Sequence, residues 1–571
     1  MVKKRDYSDW SKTQLIKEVK KLEKRKKFGI VWEDKPEDVA KRCKNELPVL
    51  KEDTEKEIKT DDKKPINILI EGDNYHALSV LNYTHKGKVD VIYIDPPYNT
   101  GAQDWKYNNN YVDNNDQWRH SKWLSFMEKR IKLAKNLLKT SGFFVISIDH
   151  FELFALGLLC DEIFNENNRI GIVAVVHKPE GRNQAKFFGN SHEYLFFYAK
   201  NKNKCSFSGA ILNEETQKRY SKKDEKGKYL LKNFIRLTDG KYSLRENKPH
   251  FFYPVYVSKD FKKFSLEKNK EYFEVLPITK SGQERTWKTT PKTLLKRAKE
   301  GEILAIKDEK GRIELFEKLR EDEVLKTHWI DPRYHAYHHG TKIVENILGE
   351  KRFEFPKSIN LIYDIIKITT KKKAVVLDFF AGSGTTGHAV LELNKEDEGN
   401  RKFILCTNNE NNNGNGNGGI MDEVCYPRVK KVIENLEKES KGKLISNRPS
   451  GLKYFKTDFV DAEPTDENKR KMVDKSTEML CLKEDCFDEV KKGTDFKIFK
   501  NSQDKHLGII FDDGGIEPFK KEVKKLNKQL VVYVFSLDES AREEEFEDMT
   551  EMVELRPIPA VILNVYKRIF K

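Results

Sequence analysis

The residues best placed to do chemistry are Asp95-Pro96-Pro97-Tyr98, directly behind the apolar run Val89-Asp-Val-Ile-Tyr-Ile94. Two successive prolines fix φ and cannot donate to a sheet ladder, so the strand must stop there. The result is a stiff platform carrying one carboxylate, backbone carbonyls and an aromatic ring, at the edge of an α/β sheet where ligands bind. Such a platform suits an exocyclic amine on a flat heterocycle. A strand-ending turn explains the same residues, because Asp-Pro is common turn chemistry.

A second constellation lies far downstream. Ala374-Val-Val-Leu-Asp378 reads as a buried strand, followed by Phe379, Phe380, Ala381, Gly382, Ser383, Gly384, Thr385 and Thr386, with a helix continuing from His388. Gly382, Gly384 and Gly387 form a G-x-G-x-x-G, which lets backbone approach a ligand at a helix N-terminus. The next strand, Lys402–Cys406, leads to Glu410, an acid near where a ribose-binding residue is expected. A nucleotide-like ligand fits this order, and a dinucleotide explains it as well as any other.

Both motifs follow buried strands, so one sheet edge can bring two substrates together. An amine platform facing a nucleotide-type cofactor is the layout of an S-adenosylmethionine-dependent amino methyltransferase. Here the chain resembles the β-group DNA amino-methyltransferases, whose catalytic motif precedes the cofactor loop, and among them the modification (Mod) subunits of type III restriction–modification systems. The resemblance rests on Asn67–Leu78, Tyr93–Gly101, His192–Lys200, Phe353–Ser358, the glycine loop and Tyr426-Pro-Arg428. It implies a doubly wound, Rossmann-like S-adenosylmethionine-dependent methyltransferase sheet in circularly permuted motif order, with an inserted target-recognition domain.

The resemblance also implies roles. Asp95 would accept one hydrogen of adenine N6 and the Pro96 carbonyl the other, freeing the nitrogen lone pair for attack on the cofactor methyl. The base would be flipped from the duplex onto Tyr98, with Pro97 stiffening the platform. Asp at this first position points to adenine, Ser being the usual cytosine choice. Residues 378–386 and Glu410 would hold S-adenosylmethionine. Asp73, with Asn74, would lie beside the cofactor adenine, although Asp73 equally reads as a helix cap. Lys357 and Ser358 would line the cofactor's amino-acid end, although Ser358 equally reads as a routine cap.

The bulk properties agree with a DNA partner without requiring one. Across 571 residues, 107 basic side chains against 92 acidic ones leave a net charge of +15. Neutralising phosphates releases counterions, so this balance favours a polyanion, though a charged, solvated surface gives the same figure. Seven scattered cysteines support neither a disulfide frame nor a zinc site, and no metal site is expected. No leader is evident near Met1 and no apolar stretch spans a bilayer, so the expectation is a cytoplasmic protein without a membrane partner.

Around the two motifs, alternating apolar strands and amphipathic helices predict five segments. Residues 1–64 hold a helix opened by a capping box at Ser11 and Gln14, then a charged linker over Lys51–Lys64. The stripe Leu15, Val19, Leu22 would be a dimer seam or the packed face of that helix. Residues 65–204 form the catalytic half, with a polar mobile loop over Gly101–Gln117 and a helix over Trp118–Thr140. Residues 205–349 lose the rhythm and would hold target recognition, with Arg236, Arg245, Arg285, Trp287 and Arg333 as candidate DNA contacts. Residues 350–439 form the cofactor-loop half, interrupted by a low-complexity Asn/Gly run over 408–419 that departs from the family. Residues 440–571 would be a separate small α/β domain, with strands at Leu530–Phe535 and Ala560–Val565.

The expected partners are double-stranded DNA, a second copy of the chain, and a separate restriction (Res) subunit, because no G-x-x-x-x-G-K-[ST] loop is present. The competing readings are a solitary methyltransferase, a cytosine-N4 or RNA acceptor, and a DNA-binding specificity protein without activity.

Overall fold

The computed structural model describes residues 10–23, 32–60, 64–108, 110–181, 186–208, 218–237, 240–320, 325–409, 419–441, 451–538 and 540–570. The chain divides into two compact units, Met1–Ser208 with Lys326–Lys571, and Gly209–Leu325.

The first unit is built on a ten-stranded mixed sheet. In chain order its strands are β1 (Glu46–Glu52), β2 (Asn67–Glu71), β3 (Val89–Ile94), β4 (Leu138–Ile148), β5 (Arg169–Val176), β6 (His192–Ala199), β7 (His328–Trp329), β8 (Val375–Asp378), β9 (Lys402–Thr407) and β10 (Leu452–Asp461). The spatial order is β1-β10-β2-β9-β8-β3-β4-β6-β5-β7. The centre, from β10 to β4, is parallel. Apart from β10, its strands carry continuous apolar runs because both faces are covered. Helices α2 (Asn74–Thr84), α3 (Arg119–Leu137), α4 (Leu153–Phe164), α5 (Ile359–Thr369), α6 (Thr385–Asp397) and α7 (Tyr426–Lys441) belong to this unit.

The topology places the site. From β3 the chain crosses through α3 to β4 on one side; from β8 it crosses through α6 to β9 on the other. Connections diverging from adjacent parallel strands leave a crevice at their carboxyl ends. β3 and β8 are those neighbours, with Val376 opposite Val91 and Leu377 opposite Ile92. This is the doubly wound α/β sheet expected, with the catalytic motif first in the chain.

Several local expectations are corrected. Lys51–Lys64 is not a plain linker: Lys51 and Glu52 end β1, which pairs with β10, and Ile58 bridges Leu452. Residues 101–117 form a hairpin, Ala102–Tyr107 with Asn110–Asp113, rather than an open loop. Buried Trp105 and Tyr107 anchor it through bonds to Asn99 Oδ1 (3.0 Å) and the Lys35 carbonyl (2.8 Å). The helix begun near Trp118 ends at Leu137, and Leu138 already pairs with Val89. At Ser11 and Gln14 the reciprocal capping bonds form, and Lys12–Glu23 is helical. Leu15 and Val19 stand exposed on it, so among the described residues they are not a packed face, and the Leu22 side chain lies outside the described residues.

The C-terminal portion is not separate. Its first strand, β10, lies between β1 and β2, and Leu507, Tyr533, Ile562 and Tyr566 share one buried core with Leu50, Leu78 and Leu81. Leu530–Phe535 is a strand of a second, five-stranded sheet. Ala560–Val565 instead belongs to a helix, Ala560–Ile569, whose buried Ile562 and Tyr566 repeat at helical spacing. A short apolar run fits either period, and here the four-residue repeat decides. No described helix is long and apolar enough to cross a membrane.

The unit Gly209–Leu325 has its own core around Phe234, Val255, Val257, Trp287 and Leu294, beneath a four-stranded antiparallel sheet. It is narrower than the irregular region read from the sequence. β7, at residues 328–329, pairs with β5 in the large sheet, and residues from Lys326 onward belong to the first unit.

Candidate active site

Asp95 follows the last residue of β3, and Trp123 Nε1 on α3 donates to the Pro97 carbonyl at 2.7 Å, fixing the platform. Its neighbours form a compact charged cluster. Lys357 Nζ, from the segment before α5, lies 3.1 Å from Asp95 Oδ1 and 2.8 Å from Glu193 Oε2 on β6. The same nitrogen donates to the Tyr98 hydroxyl at 2.6 Å, and that hydroxyl donates to Glu193 Oε2 at 3.0 Å. Apart from its ion contact with Lys357, the buried Asp95 Oδ1 receives no aligned hydrogen bond, and Glu193 Oε1 is likewise unsatisfied.

Lys357, which the resemblance would set at the cofactor's amino-acid end, reaches in this structure to the Asp95 platform. Two carboxylates share its ammonium and hold its pKa above the ordinary lysine value, although burial opposes them. Burial pushes the Asp95 carboxyl up, and the charge of Glu193 adds to that while Lys357 pulls it back. Glu193 goes the other way, because Lys357 and His177 outweigh its burial and hold it below the usual carboxylate range. The Asp95 side chain keeps 26% of its surface exposed against 4% for Glu193, so Asp95 is the carboxylate an incoming amine can reach.

Behind the platform, Asn99 Nδ2 donates to Glu152 Oε1, which also meets His120 Nδ1, each at 2.5 Å. Glu152 has no exposed side-chain surface, and its Oε2 is unsatisfied. Burial raises its pKa, with Asn99 and His120 opposing.

The glycine turn stands on the neighbouring strand. Asp378 ends β8 and accepts from Phe380 N (2.9 Å) and Thr386 Oγ1 (2.6 Å), closing the loop on the first turn of α6. Burial lifts its carboxyl to about 7. Gly382 and Gly384 adopt φ of +48° and +76°, the left-handed region that favours glycine. A Cβ at Gly382 would come within 3.2 Å of the Phe353 ring, and one at Gly384 within 3.2 Å of Cys425 Sγ. Ala381 N bonds the Cys406 carbonyl of β9 at 3.1 Å, and Phe379 is buried while the Phe380 ring packs on Phe126 of α3.

Two arginines brace this loop, and sequence reasoning passed over both. Arg428 on α7, fully buried, donates to the Ser383 carbonyl (3.2 Å), Ser383 Oγ (3.0 Å) and Thr385 Oγ1 (2.8 Å). Burial lowers its pKa to about 10, and no described carboxylate pairs with it. Arg130 on α3 reaches Asn74 Oδ1, Glu37 and Asp73. Asp73 caps α2 through Tyr75 N at 2.7 Å, so the capping role is real, and Asn74 Nδ2 donates to the Phe379 carbonyl at 3.1 Å. Asp73 and Asn74 thus lie beside the start of the glycine loop. Tyr426-Pro-Arg428 and His192-Glu193 carried the only sequence signal for Arg428 and Glu193, as members of motifs without an assigned role.

The remaining candidates separate. Ser358 makes no side-chain cap and donates to the Arg333 carbonyl at 2.8 Å. Glu410 lies outside the described residues, as does most of the Asn/Gly run. Trp287 is fully buried, with Nε1 bonded to the Tyr253 carbonyl at 2.8 Å, so it is core rather than a DNA contact. Arg333 is a structural residue: its guanidinium meets Asp364 at 2.5 Å, where the carboxylate is 3% exposed. Arg245 pairs with Glu284 on an exposed face, Arg285 bonds Gln283, and Arg236 bonds the Lys288 carbonyl; all three keep some accessible surface.

Comparison with known proteins agrees with this arrangement. The EcoPI Mod subunit of a type III restriction-modification enzyme from Escherichia phage P1 is 32% identical over 394 residues, 63% of this chain and 60% of that protein. The type II methyltransferase M.KpnI from Klebsiella pneumoniae is 34% identical over 339 residues, 59% of this chain and 79% of that protein. The StyLTI Mod subunit from Salmonella typhimurium is 30% identical over 450 residues, 73% of this chain and 65% of that protein. The chain thus spans less than two thirds of the length of the type III subunits it matches. The profile of the DNA methylase family matches residues 89–412, more than half of the sequence and a span containing both corners of the crevice. The chain belongs to the DNA methylase family.

Proposed function

We propose that this protein transfers a methyl group from S-adenosylmethionine to the exocyclic N6 of adenine in double-stranded DNA, and that it acts as the modification subunit of a type III restriction–modification system beside a separate restriction subunit. The observation that carries the reading is the register of β3 on β8, which puts an acceptor platform and a bare glycine turn at one sheet edge.

The residues present fit the cofactor. Two left-handed glycines, with the Phe353 ring and Cys425 standing where their side chains would go, shape a tight turn at the head of α6, and a helix N-terminus suits a polar ligand group. Residues Phe380–Thr385 would hold it, with Asp73 and Asn74 adjoining. When bound, S-adenosylmethionine supplies an electrophilic methyl group. The protein's own residues do the rest by placement and electrostatics. Asp95 accepts one N6 hydrogen and the Pro96 carbonyl the other, which holds the amine and releases its lone pair from the ring. Tyr98 supports the flipped base, with its hydroxyl fixed by Glu193 and Lys357. After transfer, the Asp95 carboxylate takes the proton that the amine loses.

Adenine as the acceptor draws on the carboxylate at position 95 and on the relatives named Mod subunits. The test is to incubate the protein with unmethylated duplex DNA and cofactor, digest the DNA to nucleosides and separate them. N6-methyladenine is the expected product; N4-methylcytosine, or no methylated nucleoside, overturns the assignment. A paired function further predicts that DNA cleavage appears only when the restriction subunit is added.

A further inference from the structure

Glu193 stands where strand packing alone has no use for an acid. It sits in β6 opposite Val175, and its side chain is 4% exposed. Burying a carboxylate is unfavourable unless it is paired and hydrogen-bonded. Here Lys357 and Tyr98 supply the pairing, yet Oε1 has no hydrogen-bond partner among the described residues. The lysine that satisfies Glu193 also touches Asp95, and at 2.8 Å against 3.1 Å it lies closer to Glu193. Were Glu193 neutral, Lys357 and Asp95 would close into a one-to-one ion pair, with the Asp95 oxygens committed to the ammonium.

We infer that Glu193 and Lys357 are positioning residues for amine methylation: Glu193 draws the Lys357 ammonium off Asp95, keeping that carboxylate free to accept from the target amine, and together they leave the site with one net negative charge. The inference rests on the methyl-transfer reading above and deepens it. As the nitrogen–carbon bond forms and the carbon–sulfur bond breaks, positive charge passes from sulfur to the amine nitrogen beside Asp95. The nitrogen then releases its proton to the Asp95 carboxylate, and the product leaves neutral. A site carrying two carboxylates and one ammonium favours that movement of charge; a neutral ion pair does not.

The ionisable groups around Asp95 are Lys357, Glu193, Tyr98, Tyr93 and Asp378, with His177 facing Glu193. Among them Lys357 lowers the Asp95 pKa and Glu193 raises it. Removing each charge must therefore move the acid limb of the rate profile in opposite directions.

The experiment uses the full chain, PCR-amplified duplex DNA and radiolabelled S-adenosylmethionine, with single-turnover rates followed across pH. E193Q should lower kcat at least tenfold with both KM values within about threefold, and shift the acid limb to lower pH. K357M should shift it to higher pH. The double variant E193Q/K357M should recover part of the rate lost in E193Q, because the unmatched ammonium is gone. Wild-type kcat in E193Q, or acid limbs that move the same way in both single variants, overturns the inference. Should E193Q fail to fold by thermal melting, K357M decides alone, and an unmoved or lowered limb there refutes it. The methyl-transfer reading fails separately, through D95N retaining full activity or the wild type transferring no methyl, and the inference falls with it.

Discussion

Leu377 and Ile92 are register partners on adjacent parallel strands, and the chain leaves both strands at the same edge of the sheet. Asp378 opens the glycine turn one residue after Leu377, and Asp95 opens the platform three residues after Ile92. Neighbouring strands lie about 4.8 Å apart, so the two motifs open side by side at one sheet edge although the unit Gly209–Leu325 separates them in sequence.

The glycine turn depends on backbone that only glycine adopts without strain. A left-handed conformation costs a side-chain-bearing residue about 1–2 kcal/mol. Gly384→Val also drives its side chain toward Cys425 and Val429. Isothermal titration should show S-adenosylmethionine binding weakened at least tenfold, while DNA binding by gel shift stays within about twofold.

Arg428 holds the turn from behind, with no carboxylate partner among the described residues. Arg428→Met takes the donor from the Ser383 carbonyl and from the paired Ser383 and Thr385 hydroxyls, and a buried group left unpaired costs about 1–3 kcal/mol. The expected outcome is a lower melting temperature and a raised cofactor Kd, with Arg428→Lys intermediate in both. Equal melting curves for wild type and Met variant would remove Arg428 from this role.

Asp378 supplies a pH dependence. Its pKa is raised to about 7 in the folded state by burial, against about 3.9 unfolded. Between those values the folded state binds the proton that the unfolded chain has lost. Its contribution to stability is therefore greatest below about pH 4, declines as pH rises through the window, and levels off above about 7. Asp378→Asn keeps an acceptor for Phe380 N and Thr386 but does not titrate. Urea unfolding from pH 4 to 7 should show a decline in the wild type that is shallower in the variant; parallel curves would contradict the burial of this charge.

The arginine candidates divide by what their guanidinium groups already hold. Arg333→Ala leaves the buried Asp364 carboxylate with the Tyr334 hydroxyl as donor but without its cation, and an uncompensated buried charge is costly. It should lower stability and leave the salt dependence of DNA binding unchanged. Arg245→Ala, at an exposed position, should leave melting unchanged, weaken DNA binding and reduce the salt slope by about 1 for each lost phosphate contact; Arg285→Ala should weaken binding likewise but lower melting slightly, because its guanidinium also bonds the buried Ser243 hydroxyl.

Much of this was legible in the chain because the central strands are buried on both faces. Val89–Ile94 and Val375–Asp378 appear as uninterrupted apolar runs that end in Pro or lead into Gly, so their carboxyl ends, and the residues there, could be named. β10 was hidden because Leu452-Lys-Tyr-Phe-Lys-Thr-Asp-Phe-Val-Asp461 lacks a clean period, and its place is set by partners hundreds of residues earlier. Trp287 looked like a surface aromatic among basic residues, since only tertiary burial separates a core indole from a stacking one. Lys357 drew its cofactor role from the resemblance alone; its reach across to Asp95 and Glu193 is a property of the folded sheet that no local pattern shows. Glu410 lies outside the described residues.

The claim that the platform and the glycine turn are two corners of one active site is tested most directly by Asp95→Asn, assayed in parallel for methyl transfer to duplex DNA and for S-adenosylmethionine binding. The account predicts transfer reduced at least a thousandfold with cofactor affinity within about twofold of wild type. Transfer that persists near the wild-type rate, with the cofactor bound normally, would contradict it.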